Sequence, residues 1–150
     1  VDEARALAEA MVAIGQHAGR EVRAILSGMS EPLGFMVGNA LEVDEAVRCL
    51  RGEGPADLLE LSLTLAGEVL AAAGLPSGRE RLQDAIGSGR AYAKLEEWVA
   101  AQGGNVNALG RLERAPDRWE LRATRPGVLA RIDALKVGQA AGVLGGGRSR

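Results

Sequence analysis

The chain has 150 residues, enough for one domain that buries a sizeable core. Hydrophobic residues make up 47% and charged residues 25% of it, as in ordinary globular proteins, and the net charge of -2 argues against nucleic acid or an anionic membrane as a partner. Two tryptophans, one tyrosine and one phenylalanine are too few for a base-stacking platform, and no apolar run approaches the ~20 residues that span a bilayer.

The first half of the chain predicts a helix, a strand and two more helices. Apolar residues at helical spacing predict an amphipathic helix over 3–17. The short, β-prone run at 22–26 predicts a buried strand. Helices are then expected over 39–51 and 55–73, and the second is apolar on most sides and therefore expected to be central. A helix that runs into a strand and is followed by another helix is typical of an α/β unit.

The second half changes from a helical to an alternating pattern. Helices are predicted over 77–86, with Ser77 as the cap, and over 90–102. Strict alternation on both sides of a Pro-Gly turn predicts a β-hairpin within 119–132, and a short helix over 135–143 follows.

The patterns together predict a single α/β segment with a helical majority. It divides into 1–75, which holds a helix, a strand, a loop and helices, a helical part over 76–115, and a hairpin plus short helix over 116–150. No internal repeat is visible.

Outside the loop described next, few side chains could take part in catalysis or bind a metal. The only histidine, His17, lies in the last turn of a predicted helix, where the helix dipole favours positive charge, so a helix-end role is expected. The single cysteine, Cys49, cannot form an internal disulfide, which suits a reducing cytosol, and it is expected to pack at the edge of the core. The glycine-rich end at 145–148 could form an anion nest, although a connecting loop is the favoured interpretation. The chain has no Cys/His cluster that could bind zinc.

The loop that precedes the helix at 39–51 is the most unusual stretch. Gly34 and Gly38 can adopt backbone conformations that are closed to other residues. Asn39 is expected to cap the helix, and Glu42, three residues later, can reach back to the N–H of the cap. This combination indicates a loop with a defined shape.

The motifs on both sides of this helix identify a family. The run P-L-G-x-x-V-G-N-A-L-E-V at 32–43, followed by G-E-G-P-x-D-L at 52–58, resembles the pyrimidine nucleoside phosphorylases, which include thymidine phosphorylase. Residues 8–15, 100–104 and 144–148 are similar to further landmarks of the family. Family members are much longer, so the resemblance implies an interior segment. Its implied fold is the helix-rich part of a mixed-sheet α/β domain of nucleoside phosphorylase type, with a C-terminal β-hairpin.

The resemblance also implies an activity. Family members cleave pyrimidine nucleosides of the thymidine or uridine type with phosphate, giving the free base and a ribose or deoxyribose 1-phosphate, as cytoplasmic homodimers without an organic cofactor. Their phosphate loop, Lys-His-Ser-Thr-Gly-Gly, and the Arg/Ser/Lys set that reads the base do not occur in this chain. We therefore expect no catalytic residue here and no activity of the segment alone. At Gly28 many bacterial relatives carry an aspartate, so no role is carried over to that position.

A potassium ion is the one bound group that the resemblance implies for these residues. Its ligands, carried over by position, are the backbone carbonyls of Leu33 and Met36 and the carboxylate of Glu45. Carbonyl oxygens along a turn can replace the hydration shell of a large monovalent ion. The family's other ligands lie in a part of the enzyme that these residues do not include, so we expect weak or no binding by the segment alone. Without the resemblance, Glu45 would be read as an exposed helix residue.

Two alternatives belong to other functional classes. A phosphoribosyltransferase relative would share the general fold and would use magnesium and a diphosphate substrate. A stand-alone helical interaction domain would have lost the chemistry. Such a free-standing domain should bury the helices at 55–73 and 90–102 without help, whereas a segment of a larger enzyme should expose a large apolar face.

Overall fold

The computed structural model describes residues 1–76 and 78–146. Within them, six α-helices span Asp2–His17 (α1), Asn39–Leu50 (α2), Ala56–Ala72 (α3), Arg79–Gly87 (α4), Arg90–Ala101 (α5) and Ala134–Val143 (α6), and a short 3-10 helix spans Val106–Ala108. Each predicted helix is present, with ends less than one turn from the predicted ones, so the helix-rich character is confirmed. The expected cap at Ser77 lies outside the described residues.

The cap of α2 differs by one residue from the prediction. Gly38, with φ of 119°, is the N-cap, and Asn39 is already helical. The N–H of Asn39 donates to the carbonyl of Gly146 at 2.7 Å, so this residue is engaged by a distant segment and does not cap the helix. Glu42 still reaches back as expected, because its Oε1 accepts the N–H of Gly38 at 2.9 Å.

The predicted strand at 22–26 is not formed. In residues 1–76 and 78–146 the structure contains no strand, and this run has no regular secondary structure. A strand exists only when another strand supplies hydrogen bonds along its edge. The run is tied to the helices by a side chain, because Arg23 forms an ion pair with Glu68 of α3 at 3.0 Å. The β-prone sequence is thus present, but no partner strand lies within the described residues.

The predicted hairpin within 119–132 is also absent, for a related reason. This segment is irregular and its apolar side chains face solvent: Trp119 is 95% and Leu121 is 97% exposed. Alternation specifies a half-buried strand only where a core covers one face of the sheet. The described residues offer no such core, so the alternating pattern has nothing to pack against.

The compact part of the molecule is a cluster of four helices. α3 packs on α4, α4 on α5, and α5 on α2. Val47 and Cys49 of α2 and Leu63 of α3 are the buried apolar residues of this cluster. Arg51, directly after α2, holds α5 through Tyr92: its guanidinium lies 4.3 Å from the ring centroid and donates to the hydroxyl at 2.8 Å.

Apolar surface remains uncovered both on α1 and within this cluster. On α1, Leu7, Met11 and Ile14 are all more than half exposed. α3 was expected to be central, yet Leu63 is its one buried residue.

In the part of the chain that the structure describes, no helix is both long and apolar enough to cross a membrane.

Candidate functional site

The loop at 31–38 is held by carboxylates that accept its backbone N–H groups. The central one is Glu45 of α2, which is 2% exposed. Its Oε1 accepts the N–H of Phe35 at 3.1 Å and its Oε2 accepts the N–H of Met36 at 3.2 Å. Glu45 forms no ion pair with any residue in 1–76 or 78–146. Its charge is therefore buried against neutral amides, an arrangement that a cation would complete, since buried charges are normally paired or bound to metal.

Gly34 allows this carboxylate to approach the loop. Its φ is 69°, a left-handed conformation that favours glycine. A Cβ at this position would lie 2.4 Å from Oε2 of Glu45, far inside van der Waals contact. Both the backbone shape and the space occupied by Glu45 thus require glycine here.

A second carboxylate reaches the loop from α3. Asp57, in the first turn of that helix, accepts the N–H of Gly34 on its Oδ2 at 3.0 Å. This hydrogen bond, helped by the neighbouring backbone N–H of Leu58, lowers the pKa of the Asp57 carboxyl below its usual value. Asp57 therefore links the start of α3 to the loop as a charged acceptor.

Later parts of the chain bracket the loop at both ends. The carbonyl of Ser30 accepts the N–H of Ala134 at 3.1 Å, at the start of α6. At the other end the N–H of Asn39 donates to Gly146, as described above. The loop is therefore held between α2, α3 and the segment that carries α6.

The three predicted cation ligands come together. Leu33, Met36 and Glu45 line one cavity of about 410 Å³, together with Leu58 and Ala134. A buried carboxylate and two peptide carbonyls are hard oxygen donors, which suits a monovalent ion and excludes softer metals. In the described residues no three His, Cys, Asp or Glu side chains gather as a divalent metal site would require. The residues fit the expected ion in donor type, and the ligand set itself stays a prediction.

The other candidates from the sequence lie away from this loop. His17 is exposed at the end of α1, where its Nδ1 donates to the carbonyl of Ala13 at 2.8 Å. Burial, reinforced by the negative charge of Glu45, raises the pKa of the Cys49 thiol. Gly28 lies in the segment between α1 and α2, and no atom lies within 4 Å of a Cβ built at this position. Of the proposed glycine nest, residues 147 and 148 lie outside the described residues.

Two contacts made by acidic side chains could not be read from the sequence. Asp57 stands in the motif at 52–58 and in the first turn of a helix, and its reach to Gly34 depends on the tertiary fold. Asp44 likewise reads as an acid near a helix start, but it is 7% exposed, and its Oδ2 accepts from Arg114 at 2.5 Å. Its Oδ1 has no hydrogen-bond partner among the described residues.

Comparison with known proteins decides the family. Residues 1–92 match the model described as the glycosyl transferase family, a/b domain. The chain belongs to this family. Pyrimidine-nucleoside phosphorylases from Staphylococcus epidermidis and Bacillus subtilis are each 41% identical to it over 155 residues. The enzyme of the same name from Geobacillus stearothermophilus is 42% identical over 156 residues.

These alignments cover 99% of the chain and 36% of each relative, so the chain spans about a third of the length of the curated relatives it matches. The resemblance to the pyrimidine nucleoside phosphorylases, first suggested by the motifs at 32–43 and 52–58, is confirmed.

Proposed function

We propose that this chain forms part of a pyrimidine-nucleoside phosphorylase, which cleaves pyrimidine nucleosides with phosphate to the free base and a pentose 1-phosphate. The observation that carries the proposal is the 41–42% identity to enzymes of that name over 99% of the chain. Because the chain spans 36% of those relatives, we assign the phosphate and base contacts to the remainder of the protein. The role of this segment is then to shape one side of the site.

The loop at 31–38 is the part of the segment that we assign to the working enzyme. In this proposal the carbonyls of Leu33 and Met36 and the carboxylate of Glu45 hold a potassium ion, with further oxygen ligands from the remainder of the protein. When bound, the ion supplies a fixed positive charge that balances the buried carboxylate and stiffens the loop. The chain's own residues supply the oxygen donors and the backbone shape. Support comes from the shared cavity and from the burial of Glu45 against neutral amides.

The finer features of the fold belong to the same proposal. The run at 22–26 becomes a strand of a mixed sheet, and the segment within 119–132 becomes a hairpin, once the remainder of the protein supplies partners. The divisions at 1–75, 76–115 and 116–150 then describe pieces of one larger domain. We also propose that the complete protein is a cytoplasmic homodimer without an organic cofactor, as the family resemblance implies.

Exposed apolar surface favours this proposal over a stand-alone interaction domain. Leu65 and Val69 of α3 and Trp98 of α5 are all about half exposed or more, although both helices should be well buried in an independent domain. A segment that packs against further parts of the same protein explains this exposure.

The test is phosphorolysis by the complete protein from its source. We expect uridine or thymidine to release its base only when phosphate is present, and the 150-residue chain alone to be inactive. The native polypeptide should also be much heavier than the 15.6 kDa of this chain. Base release that requires diphosphate and magnesium, or a native product of 15.6 kDa, would contradict the proposal.

A further inference from the structure

The peptide between Leu33 and Gly34 is fixed by the carboxylate of Asp57, which belongs to the motif at 52–58 but was assigned no role from the sequence. The N–H of Gly34 donates to Oδ2 of Asp57 at 3.0 Å. In a trans peptide the carbonyl points opposite to the N–H of the same plane, and the described residues contain no cis peptide. The carbonyl of Leu33 therefore faces away from Asp57. The direction of this carbonyl is thus set by a side chain of α3.

We propose that Asp57 is a positioning residue: by holding the N–H of Gly34, it aims the Leu33 carbonyl into the cavity that Leu33, Met36 and Glu45 share. This inference rests on the proposed function, because the cation that the carbonyl would meet is part of that proposal. Asp57 does not touch the ion. It acts through one peptide plane.

The structure explains why this peptide needs a hydrogen-bond partner from outside the loop. Gly34 lacks a Cβ and has a φ of 69°, so the backbone on one side of the peptide has few steric restraints. Glu45 holds the next two N–H groups, of Phe35 and Met36, and leaves the N–H of Gly34 unserved. Asp57 accepts from that N–H. Without it the peptide plane between Leu33 and Gly34 could rotate, and the Leu33 carbonyl would point away from the cavity.

Asp57 is also well placed to act as a rigid support. It lies in the first turn of α3, two residues after Pro55, whose φ of -59° sets the entry of the chain into the helix. The neighbouring N–H of Leu58 also lowers the pKa of Asp57, which favours the charged form of this acceptor. A short side chain on a helix start positions a partner with less loss of entropy than a long one on a loop.

The experiment compares potassium binding by the complete protein and its Asp57 variants. Thermal unfolding is followed while KCl replaces choline chloride at constant ionic strength, so that a rise in Tm specific to potassium reports binding. In Asp57→Ala we expect the potassium concentration for half the rise to increase at least tenfold. Asp57→Asn retains an acceptor oxygen and should show a smaller increase. Glu80→Ala is the matched control, because Glu80 is an exposed acid in the first turn of α4.

Each result bears on one of the two proposals. If wild type shows no potassium-specific rise, the cation site of the proposed function fails, and the positioning role fails with it. If wild type responds and Asp57→Ala binds potassium as tightly, the positioning role alone is wrong. Amide hydrogen exchange of the loop at 33–37 provides a readout without potassium. We expect it to be at least tenfold faster in Asp57→Ala, or in Asp57→Asn if the alanine variant does not fold, and unchanged exchange overturns the inference.

Discussion

The carboxylate of Glu45 occupies the space in which a side chain on Gly34 would lie. A Cβ there would be 2.4 Å from Oε2, and the φ of 69° adds a backbone cost for any other residue. We expect Gly34→Ala to lower the free energy of unfolding by about 2–4 kcal/mol, from the left-handed conformation and the overlap together. Urea unfolding measures this. Gly28→Ala is the control, expected within about 0.5 kcal/mol of wild type, since nothing lies near its Cβ.

Replacing Glu45 should weaken the hydrogen bonds that attach the loop to α2. In Glu45→Gln one oxygen becomes an NH₂ group. An oxygen kept at the Oε2 position can still accept from Phe35 and Met36, but the NH₂ group then faces a backbone N–H and is itself a buried donor without an acceptor. A buried donor without a partner costs about 1–3 kcal/mol, and we expect a loss of that size in urea unfolding. Glu53→Gln, in the exposed turn after α2, should be neutral. Equal stability of Glu45→Gln and wild type would show that these hydrogen bonds do not hold the loop.

The pair formed by Asp44 and Arg114 should respond unequally to loss of either partner. Asp44 is buried, whereas the side chain of Arg114 is about half exposed. Arg114→Ala leaves a buried carboxylate without its cation and should cost about 1–3 kcal/mol. Asp44→Ala leaves an arginine that water can solvate, and should cost about 1 kcal/mol or less. Unfolding measurements on both variants test the order, and a larger loss in Asp44→Ala would contradict it.

Acidic pH should weaken the hydrogen bond from Gly34 of the loop to Asp57 of α3. The hydrogen bond from Gly34 lowers the pKa of Asp57 in the folded protein, so its contribution to stability is complete above the unfolded-state pKa of about 4. That contribution is lost as the pH falls through the lower, folded-state pKa. We expect stability curves of wild type and Asp57→Asn to converge as the pH falls below about 4. A constant difference over that range would contradict the role of the charge, and Glu80→Gln serves as the control.

The thiol of Cys49 should be protected in the folded protein. It is buried, and burial raises its pKa, so both access and the thiolate fraction are reduced. We expect a thiol reagent at pH 8 to react at least about tenfold more slowly with folded protein than with protein in urea. Because the chain has one cysteine, the total signal in urea calibrates the measurement. Equal rates in both states would show that α2 opens freely at this position.

Local patterns predicted the helices because their signals lie within the segments themselves. Apolar spacing, together with glycine and proline at the boundaries, placed α3 and α5 within a turn of their observed ends. The strand at 22–26 and the hairpin within 119–132 could not be decided in this way. A strand's partner lies elsewhere in the chain, and no pattern inside the strand shows whether that partner is available.

The site shows the same division between local and distant information. Family motifs indicated Leu33, Met36 and Glu45, and the structure brings all three to one cavity. The burial of Glu45 could not be read from helical periodicity, because the loop that covers it folds back from the preceding segment. The contact between Asp57 and Gly34 spans 23 positions of sequence, and only the packing of α3 against the loop reveals it.

The two backbone hydrogen bonds that bracket the loop, from Ala134 to Ser30 and from Asn39 to Gly146, join positions more than a hundred residues apart. Contacts of such long range form late, because the entropy of closing the intervening chain is lost before they can stabilise anything. During synthesis, Glu45 and Asp57 can hold the middle of the loop once α2 and α3 have formed, whereas its two ends must wait for Ala134 and Gly146. A ribosome stalled before those residues should therefore display a nascent chain in which the middle of the loop is held and its two ends are still free.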